Sequence, residues 1–289
     1  MVTLVIFDHW MGRPDVWSWP GVIIGLVTTA ACVISAGELV DMWRRGGSNN
    51  LPMVATMIGT ALMALSSCMP MFFPREPGTC PLGMFGGAVA GFAGALVLIA
   101  LFVLATNSAS SKDRTDGIAR AILAVAYLFP LIAFLPPHRL LHGHNGSGLC
   151  ALLLILTTVK MSDACAYFFG KLLGRTRLAP RLSPNKTVEG GFGGLIGAVI
   201  GALIVFWAIA PWVAGPQFSQ SPVWIVGYAL VVAVAGLIGD LFESLLKRDA
   251  ACKDSSAWLP GLGGVLDVVD SIIFAAPASW LYWVATGAI

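Results

Sequence analysis

The acidic and basic residues at the ends of the last two long apolar segments have a spacing that suits phosphate chemistry. Asp240, Glu243 and Lys247 lie at i, i+3 and i+7, which places their side chains on one face of a helix. Asp267 and Asp270 share a face at the start of the final apolar segment. Carboxylate oxygens bind Mg²⁺, and cationic side chains offset phosphate charge. These residues therefore predict magnesium-assisted chemistry on a phosphate-containing substrate.

A purely interfacial role is the alternative for this cluster. Lys247 and Arg248 could extend along apolar surface towards water, with Asp254 as a charge partner. That alternative leaves Asp240 and Glu243 unexplained, because ionisable side chains inside an apolar segment are costly and usually functional. We therefore favour the catalytic interpretation.

A second candidate phosphate-binding sequence is Ser183-Pro184-Asn185-Lys186-Thr187. Ser followed by Pro is typical of a helix N-cap and first helical position, so the pattern predicts that a helix begins here. Backbone N–H groups, the Asn185 amide and the Lys186 ammonium could then converge on a nucleotide triphosphate or a lipid phosphate. Alternatively, the basic loop around this sequence could serve only anionic headgroups.

The fifth apolar segment also carries charged residues. Lys160, Asp163 and Tyr167 lie at i, i+3 and i+7, on one helical face. Such intramembrane charges either belong to a functional site or form a structural ion pair between Lys160 and Asp163. The sequence leaves both alternatives open.

The overall composition excludes a soluble protein. Only 11% of the 289 residues are charged and 57% are hydrophobic, with a mean hydropathy of +0.83. A soluble globular domain with this composition would lack the polar residues that cover its surface. The formal net charge of +2 gives no support for a nucleic-acid partner.

The elements that position the charged residues are apolar segments long enough to cross a membrane as helices. Eight such segments occur, at 20–40, 51–73, 83–106, 118–136, 148–169, 191–214, 223–246 and 265–287. They predict an all-α, polytopic transmembrane helix bundle, with room for one extra short or re-entrant helix. We divide the chain into N-terminal transmembrane helices, 1–147, and a C-terminal transmembrane catalytic region, 148–289.

The basic residues orient this topology. Of the 17 Lys and Arg residues, 13 fall in loops on one side of the predicted bundle. Cytoplasmic loops are enriched in these residues, so this side is predicted to be cytoplasmic. The candidate site would then face the cytoplasm.

Three further features have predicted structural roles. Gly193, Gly197 and Gly201 have the four-residue spacing of closely packed membrane helices, and no strand that would indicate a nucleotide-binding loop is predicted before them. Glycine-rich segments also predict a homodimer. The cluster of His138, His142 and His144 is predicted to be a solvated loop rather than a metal site. Glu38 and Asp41 are predicted to be interface anchors.

Two stretches of the sequence resemble the phosphatidate cytidylyltransferase (CDP-diacylglycerol synthase) family. The family signature S-x-x-K-R-x4-K-D, continued to a final D-R-x-D, is matched in register by Ser244, Lys247, Arg248, Lys253, Asp254, Ser256, Leu259, Pro260, Gly263, Gly264, Asp267 and Asp270. A second family stretch is matched by Asp163, Ala166, Tyr167, Gly170, Ser183, Pro184, Lys186, Thr187, Glu189, Gly190, Gly193 and Gly194. Two signature positions depart, with Leu262 in place of a His and Val268 in place of an Arg.

The resemblance implies an integral-membrane nucleotidyltransferase that condenses CTP with phosphatidate to CDP-diacylglycerol and pyrophosphate. It implies Mg²⁺, with room for a second cation, and no protein nucleophile. The implied metal ligands are Asp240, Asp267 and Asp270, with Asp254 in support. The implied phosphate contacts are Lys186, Lys247, Arg248 and Lys253. The implied polar residues near the substrates are Asp163, Ser183, Asn185 and Ser244.

Three alternatives remain open at the level of sequence. The enzyme could accept another lipid phosphate, such as that of an isoprenoid ether lipid. The departures at Leu262 and Val268 could instead mark a non-catalytic relative. The intramembrane charges would also suit an ion-coupled transporter, although no inverted repeat is visible.

Overall fold

The chain is almost entirely helical in the part that the structure, a computed structural model, describes. The described residues are 21–47, 52–68, 86–106, 111–140, 145–215, 218, 220–252, 254–256 and 263–287. The helices are α1 (Val22–Arg45), α2 (Met53–Cys68), α3 (Gly86–Thr106), α4 (Ser111–Phe134), α5 (Asn145–Leu173), α6 (Val188–Ile204), α7 (Ala210–Val213), α8 (Pro222–Asp249) and α9 (Val265–Ala285). A 3₁₀ turn spans Pro136–Leu140, a π-helical turn joins α6 to α7, and two short strands are β1 (Arg177–Ala179) and β2 (Ser183–Thr187).

Helices occur at all eight positions where the sequence predicts membrane spans. Within the described residues, six helical segments are long and apolar enough to cross a membrane, while α2 and the apolar part of α3 are shorter. The prediction of an all-α polytopic membrane protein is therefore confirmed. The predicted limits of α5 and α8 are too short, because both helices continue beyond their apolar stretches into polar residues.

The described chain divides into two compact units. The first unit contains residues 21–136 and 246–269, and the second contains residues 137–245 and 270–289. The segment 246–269 therefore packs with the N-terminal helices, although the division predicted from sequence places it in 148–289. The predicted confinement of catalysis to 148–289 stays a prediction.

In the first unit, α1 packs with α2 and α4, and α2 packs with α3. Leu39, Met42 and Trp43 of α1 are fully buried, and Glu38 beside them is only 7% exposed. A buried carboxylate is costly unless it is hydrogen-bonded. The surroundings of Glu38 must therefore supply donors.

In the second unit, glycines allow α5 and α6 to pack closely. A Cβ on Gly197 would lie 2.5 Å from the Cβ of Cys165, and one on Gly201 would lie 2.9 Å from the Cβ of Met161. Neither position has room for a larger residue without movement of α5. The packing role predicted for these glycines is therefore confirmed.

The segment 183–187 forms a strand and not the start of a helix. β2 runs antiparallel to β1, with Arg177 opposite Thr187 and Ala179 opposite Ser183. α6 begins at Val188, where the Thr187 hydroxyl accepts a hydrogen bond from the Gly190 N–H at 3.1 Å. The predicted helix start at Ser183 is wrong because Thr187 supplies the cap, and a proline also suits an edge strand. A short strand thus does precede the glycines of α6, contrary to the prediction.

His138 and Arg139 are buried. His138 Nε2 lies 2.7 Å from Ser279 Oγ, and the same hydroxyl lies 2.8 Å from Tyr228 OH. The predicted solvated loop is therefore wrong for His138, because the imidazole has polar partners inside the second unit. His142 and His144 lie outside the described residues.

Candidate active site

Three carboxylates meet in the second unit. Asp240 and Glu243 lie about one turn apart on α8, and Asp270 lies on α9. One oxygen from each carboxylate lies within 4.8 Å of the other two. Asp270 is 6% exposed and Glu243 is 1% exposed. We call these three residues the acidic cluster. Ionised carboxylates this close together and shielded from water repel one another, so the cluster favours a bound cation.

The close approach of α8 and α9 within this unit brings the three acids together. A Cβ on Gly239 would lie 2.7 Å from the backbone oxygen of Asp270 and 3.3 Å from the Cβ of Phe274. Glycine at 239 therefore sets the helix separation beside the cluster. The N–H of Ser271 also donates to Asp270 Oδ1 at 2.6 Å and fixes that carboxylate.

Lys186 connects the β hairpin to the acidic cluster. Its Nζ lies 2.5 Å from Asp240 Oδ2. The hairpin itself is held by Glu189, whose carboxylate accepts hydrogen bonds from the N–H groups of Arg175 at 3.1 Å and Thr176 at 3.2 Å. Lys186 therefore offsets part of the cluster's negative charge and can contact a phosphate bound there.

Lys160 and Asp163 of α5 form an ion pair. The sequence leaves open whether these two residues form such a pair or belong to a functional site. Lys160 Nζ lies 3.4 Å from Asp163 Oδ2. The hydroxyl of Ser271 donates to Asp163 Oδ1 at 3.5 Å. Asp163 therefore pairs with Lys160 and also contacts Ser271, the residue that follows Asp270.

A second group of charged residues lies in the first unit, around Asp267. Lys247 Nζ lies 2.5 Å from Asp267 Oδ1. Asp267 Oδ2 accepts the N–H of Gly264 at 2.6 Å and the hydroxyl of Ser255 at 3.1 Å. The Asp267 carboxylate is therefore surrounded by donors.

Glu38 belongs to this second group. Its Oε1 accepts the Ser256 hydroxyl at 2.6 Å and the Val265 N–H at 3.0 Å, and its Oε2 accepts the Leu266 N–H at 2.8 Å. The prediction of an interface anchor is wrong for Glu38, because its carboxylate caps the first turn of α9. We call Glu38, Lys247, Ser255, Ser256 and Asp267 the capped group.

The other predicted site residues differ in exposure. Asn185, Arg248 and Asp254 are exposed, while Ser183 and Ser244 are half-buried. Val268, at one of the two departures from the signature, is half-buried in α9. Lys253 and Leu262 lie outside the described residues.

The metal ligands implied by the family resemblance do not include Glu243, although its spacing groups it with Asp240 in the predicted magnesium chemistry, and Glu38 has no predicted role near the site. The signal for Glu243 was its position three residues after Asp240 inside an apolar segment. The signal for Glu38 was weaker, since a carboxylate near the end of an apolar segment is also typical of an interface. Its partners lie more than 200 residues further along the chain.

The donor set of the acidic cluster fits Mg²⁺. Mg²⁺ prefers oxygen ligands and is usually held by one or two carboxylates together with water or substrate phosphates. Asp240, Glu243 and Asp270 offer three carboxylate groups at mutual distances within 4.8 Å. Two of these residues, Asp240 and Asp270, are among the predicted metal ligands.

Comparison with known proteins points to one family. A family model described as the cytidylyltransferase family matches residues 16–286. The chain is 36% identical over 181 residues to a phosphatidate cytidylyltransferase of Thermotoga maritima, with 63% of this chain and 64% of the relative covered.

Two further relatives carry the same name. The chain is 43% identical over 143 residues to a phosphatidate cytidylyltransferase of Brucella suis, with 50% of each chain covered. It is 35% identical over 182 residues to one of Staphylococcus aureus, with 62% of this chain and 65% of the relative covered. The chain thus spans between half and just under two-thirds of the length of these curated relatives.

Proposed function

The chain belongs to the cytidylyltransferase family, and we propose that it condenses CTP with phosphatidate in the membrane, giving CDP-diacylglycerol and pyrophosphate. The observation that carries this proposal is the acidic cluster with Lys186 beside it, in a chain of this family. The names of the relatives support phosphatidate as the lipid acceptor. They give no support to the transporter alternative.

In the proposed reaction, a phosphate oxygen of phosphatidate attacks the α-phosphorus of CTP. A new P–O bond forms, the bond between the α- and β-phosphates breaks, and pyrophosphate leaves with that bond's electron pair. Both reacting groups are supplied by the substrates, so the protein contributes positioning and charge neutralisation.

The acidic cluster would hold Mg²⁺ through Asp240, Glu243 and Asp270. When bound, Mg²⁺ neutralises phosphate charge and polarises phosphoryl oxygens. The resemblance also implies ligand roles for Asp267 and a supporting role for Asp254. Asp267 already contacts Lys247, Ser255 and Gly264, so we propose that it mainly orients Lys247.

The basic residues would bind the substrate phosphates. We assign the triphosphate of CTP to Lys247, Arg248 and Lys253. Lys186 would bind a phosphate next to Asp240, its partner at 2.5 Å. Polar support would come from Asp163, Ser183, Asn185 and Ser244.

We also propose that the site faces the cytoplasm and that the protein is a homodimer. The asymmetric distribution of Lys and Arg supports the orientation. The glycine-rich helices support the dimer, since small residues allow close helix contacts between as well as within chains.

The proposal is tested with the full chain purified in detergent and supplied with phosphatidate, labelled CTP and Mg²⁺. We expect a labelled CDP-lipid and one pyrophosphate for each lipid formed. An isoprenoid ether lipid phosphate, supplied in parallel, tests the alternative acceptor. CTP binding without product from either lipid would contradict the proposal and favour a non-catalytic relative.

A further inference from the structure

Glu38 contacts the segment that carries much of the family signature. Its carboxylate is held by the hydroxyls of Ser255 and Ser256 and by the N–H groups of Val265 and Leu266. All of these residues belong to the first unit. A buried carboxylate in α1 therefore fixes residues more than 200 positions away in sequence.

The cap of α9 explains why a carboxylate is needed at this position. The first N–H groups of a helix have no partner within the helix, and a side-chain oxygen of the N-cap residue usually accepts one of them. The N-cap position of α9 is Gly264, which has no side chain. Glu38 supplies the missing acceptor from another helix, and its negative charge also suits the positive end of the helix dipole.

The glycine at 264 is itself required by this arrangement. A Cβ there would overlap the Ser255 hydroxyl and would lie 2.6 Å from both carboxylate oxygens of Glu38. Gly264 and Glu38 are therefore complementary, because the absent side chain leaves the space that the carboxylate occupies.

The Glu38 contacts extend to the proposed phosphate-binding residues. Ser255 donates to Asp267 Oδ2 at 3.1 Å as well as lying 3.4 Å from Glu38 Oε2. Asp267 in turn pairs with Lys247 at 2.5 Å. Arg45, also in α1, donates to the backbone oxygen of Ser255 at 2.6 Å. Loss of the Glu38 carboxylate would remove one contact of the Ser255 hydroxyl and would release the N–H groups of Val265 and Leu266, which directly precede Asp267.

We propose that Glu38 is a positioning residue for cytidylyl transfer, which caps α9 and thereby holds Ser255, Asp267 and Lys247 in place for the CTP phosphates. This inference rests on the proposed function. It also assigns part of the N-terminal helical region a role in the reaction.

The first arm of the test measures contact without activity. Hydrogen exchange of the full-length protein in detergent is followed in a peptide spanning residues 263–271, in wild type and in Glu38→Gln. Gln keeps one oxygen as an acceptor but places an NH₂ group against the other backbone donor, so we expect exchange within this peptide to become about tenfold faster. Unchanged exchange would overturn the inference.

The second arm measures the reaction with each substrate varied separately. In Glu38→Gln we expect KM for CTP to rise about tenfold and kcat/KM for CTP to fall about 100-fold. KM for phosphatidate should stay within about twofold of wild type. A merely structural role would reduce the folded fraction and leave both KM values unchanged, which would also overturn the inference.

Two further variants strengthen the test. Asp116→Asn is the matched control, since it removes a half-exposed carboxylate that pairs with Arg120 at 3.1 Å in α4, and it should match wild type in both arms. Gly264→Ala keeps every charge but displaces the Glu38 carboxylate, so it should reproduce both effects of Glu38→Gln.

Failure of the two proposals can be told apart. If wild type forms no CDP-lipid, the proposed function fails, and the positioning role fails with it. The exchange arm would then decide only whether Glu38 caps α9. If wild type is active and Glu38→Gln has normal kinetics despite faster exchange, only the positioning role fails.

Discussion

The acidic cluster and the capped group use carboxylates in opposite ways. In the acidic cluster, Asp240, Glu243 and Asp270 approach one another within 4.8 Å. In the capped group, the oxygens of Glu38 and Asp267 face backbone N–H groups, serine hydroxyls and the Lys247 ammonium. Grouped acids favour a cation, whereas acids surrounded by donors are already stabilised. The acidic cluster is thus the proposed metal site, and the capped group is the proposed positioning network.

The largest effect is expected in the acidic cluster. Asp240→Asn removes one proposed ligand and the partner of Lys186, so CDP-lipid formation should fall about 10³-fold. The rate is measured in detergent with saturating CTP and phosphatidate. The half-exposed Asp116→Asn variant should keep wild-type activity. A loss of less than about fivefold for Asp240→Asn would remove this residue from the proposed site.

A smaller effect of a different kind is expected in the capped group. Asp267→Asn weakens the hold on Lys247, and we expect kcat/KM for CTP to fall about 100-fold. The Mg²⁺ concentration that gives half-maximal rate should change less than about threefold, because the acidic cluster is intact. A large shift in the Mg²⁺ requirement would instead support the metal-ligand role that the family resemblance implies for Asp267.

The contact between the hairpin and the acidic cluster should give a loss smaller than that of Asp267→Asn. Lys186→Gln removes the cation 2.5 Å from Asp240, and we expect kcat/KM for CTP to fall about 30-fold. The double variant with Asp240→Asn should lose much less than the product of the two single losses, because the side chains act as a pair. Independent, multiplicative losses would show that Lys186 and Asp240 do not act together.

The smallest predicted effect concerns the thiol of Cys252. Its N–H donates to the Lys247 backbone oxygen at 2.9 Å, and burial raises the pKa of the thiol. Since only the thiolate reacts with maleimide or iodoacetamide, alkylation near pH 7 should be slower than that of an exposed cysteine and should accelerate as pH rises through the raised pKa. Mass spectrometry of the peptide that contains Cys252 gives the rate. A pH-independent rate, or one as fast as a free cysteine at neutral pH, would contradict the packing of this loop.

The sequence predicts the helices and the acids that lie on them, and the family resemblance implies metal ligation for two of the three acids in the cluster. A membrane span needs about 20 apolar residues, so the eight helical positions follow from local composition. Asp240 and Asp270 stand out because charge inside an apolar segment is costly. The family signature adds Lys247 and Asp267, which form an ion pair in the structure.

Features that depend on distant contacts could not be predicted in this way. Thr187, and not Ser183, caps α6, because the preceding residues pair with β1 as a strand. Glu38 caps α9 only because Gly264 leaves room for its carboxylate. His138 is buried because Ser279, far along the chain, offers its hydroxyl.

The central claim is that Asp240, Glu243 and Asp270 bind the divalent cation and that Asp267 does not dominate its binding. Equilibrium binding of Mn²⁺, followed by electron paramagnetic resonance on purified wild type, Asp270→Asn and Asp267→Asn, tests it most directly. We expect Kd for Mn²⁺ to rise about 100-fold in Asp270→Asn and less than about threefold in Asp267→Asn. An unchanged Kd for Mn²⁺ in Asp270→Asn would contradict the assignment of the metal site to the acidic cluster. A rise in Kd that is larger in Asp267→Asn than in Asp270→Asn would contradict it as well.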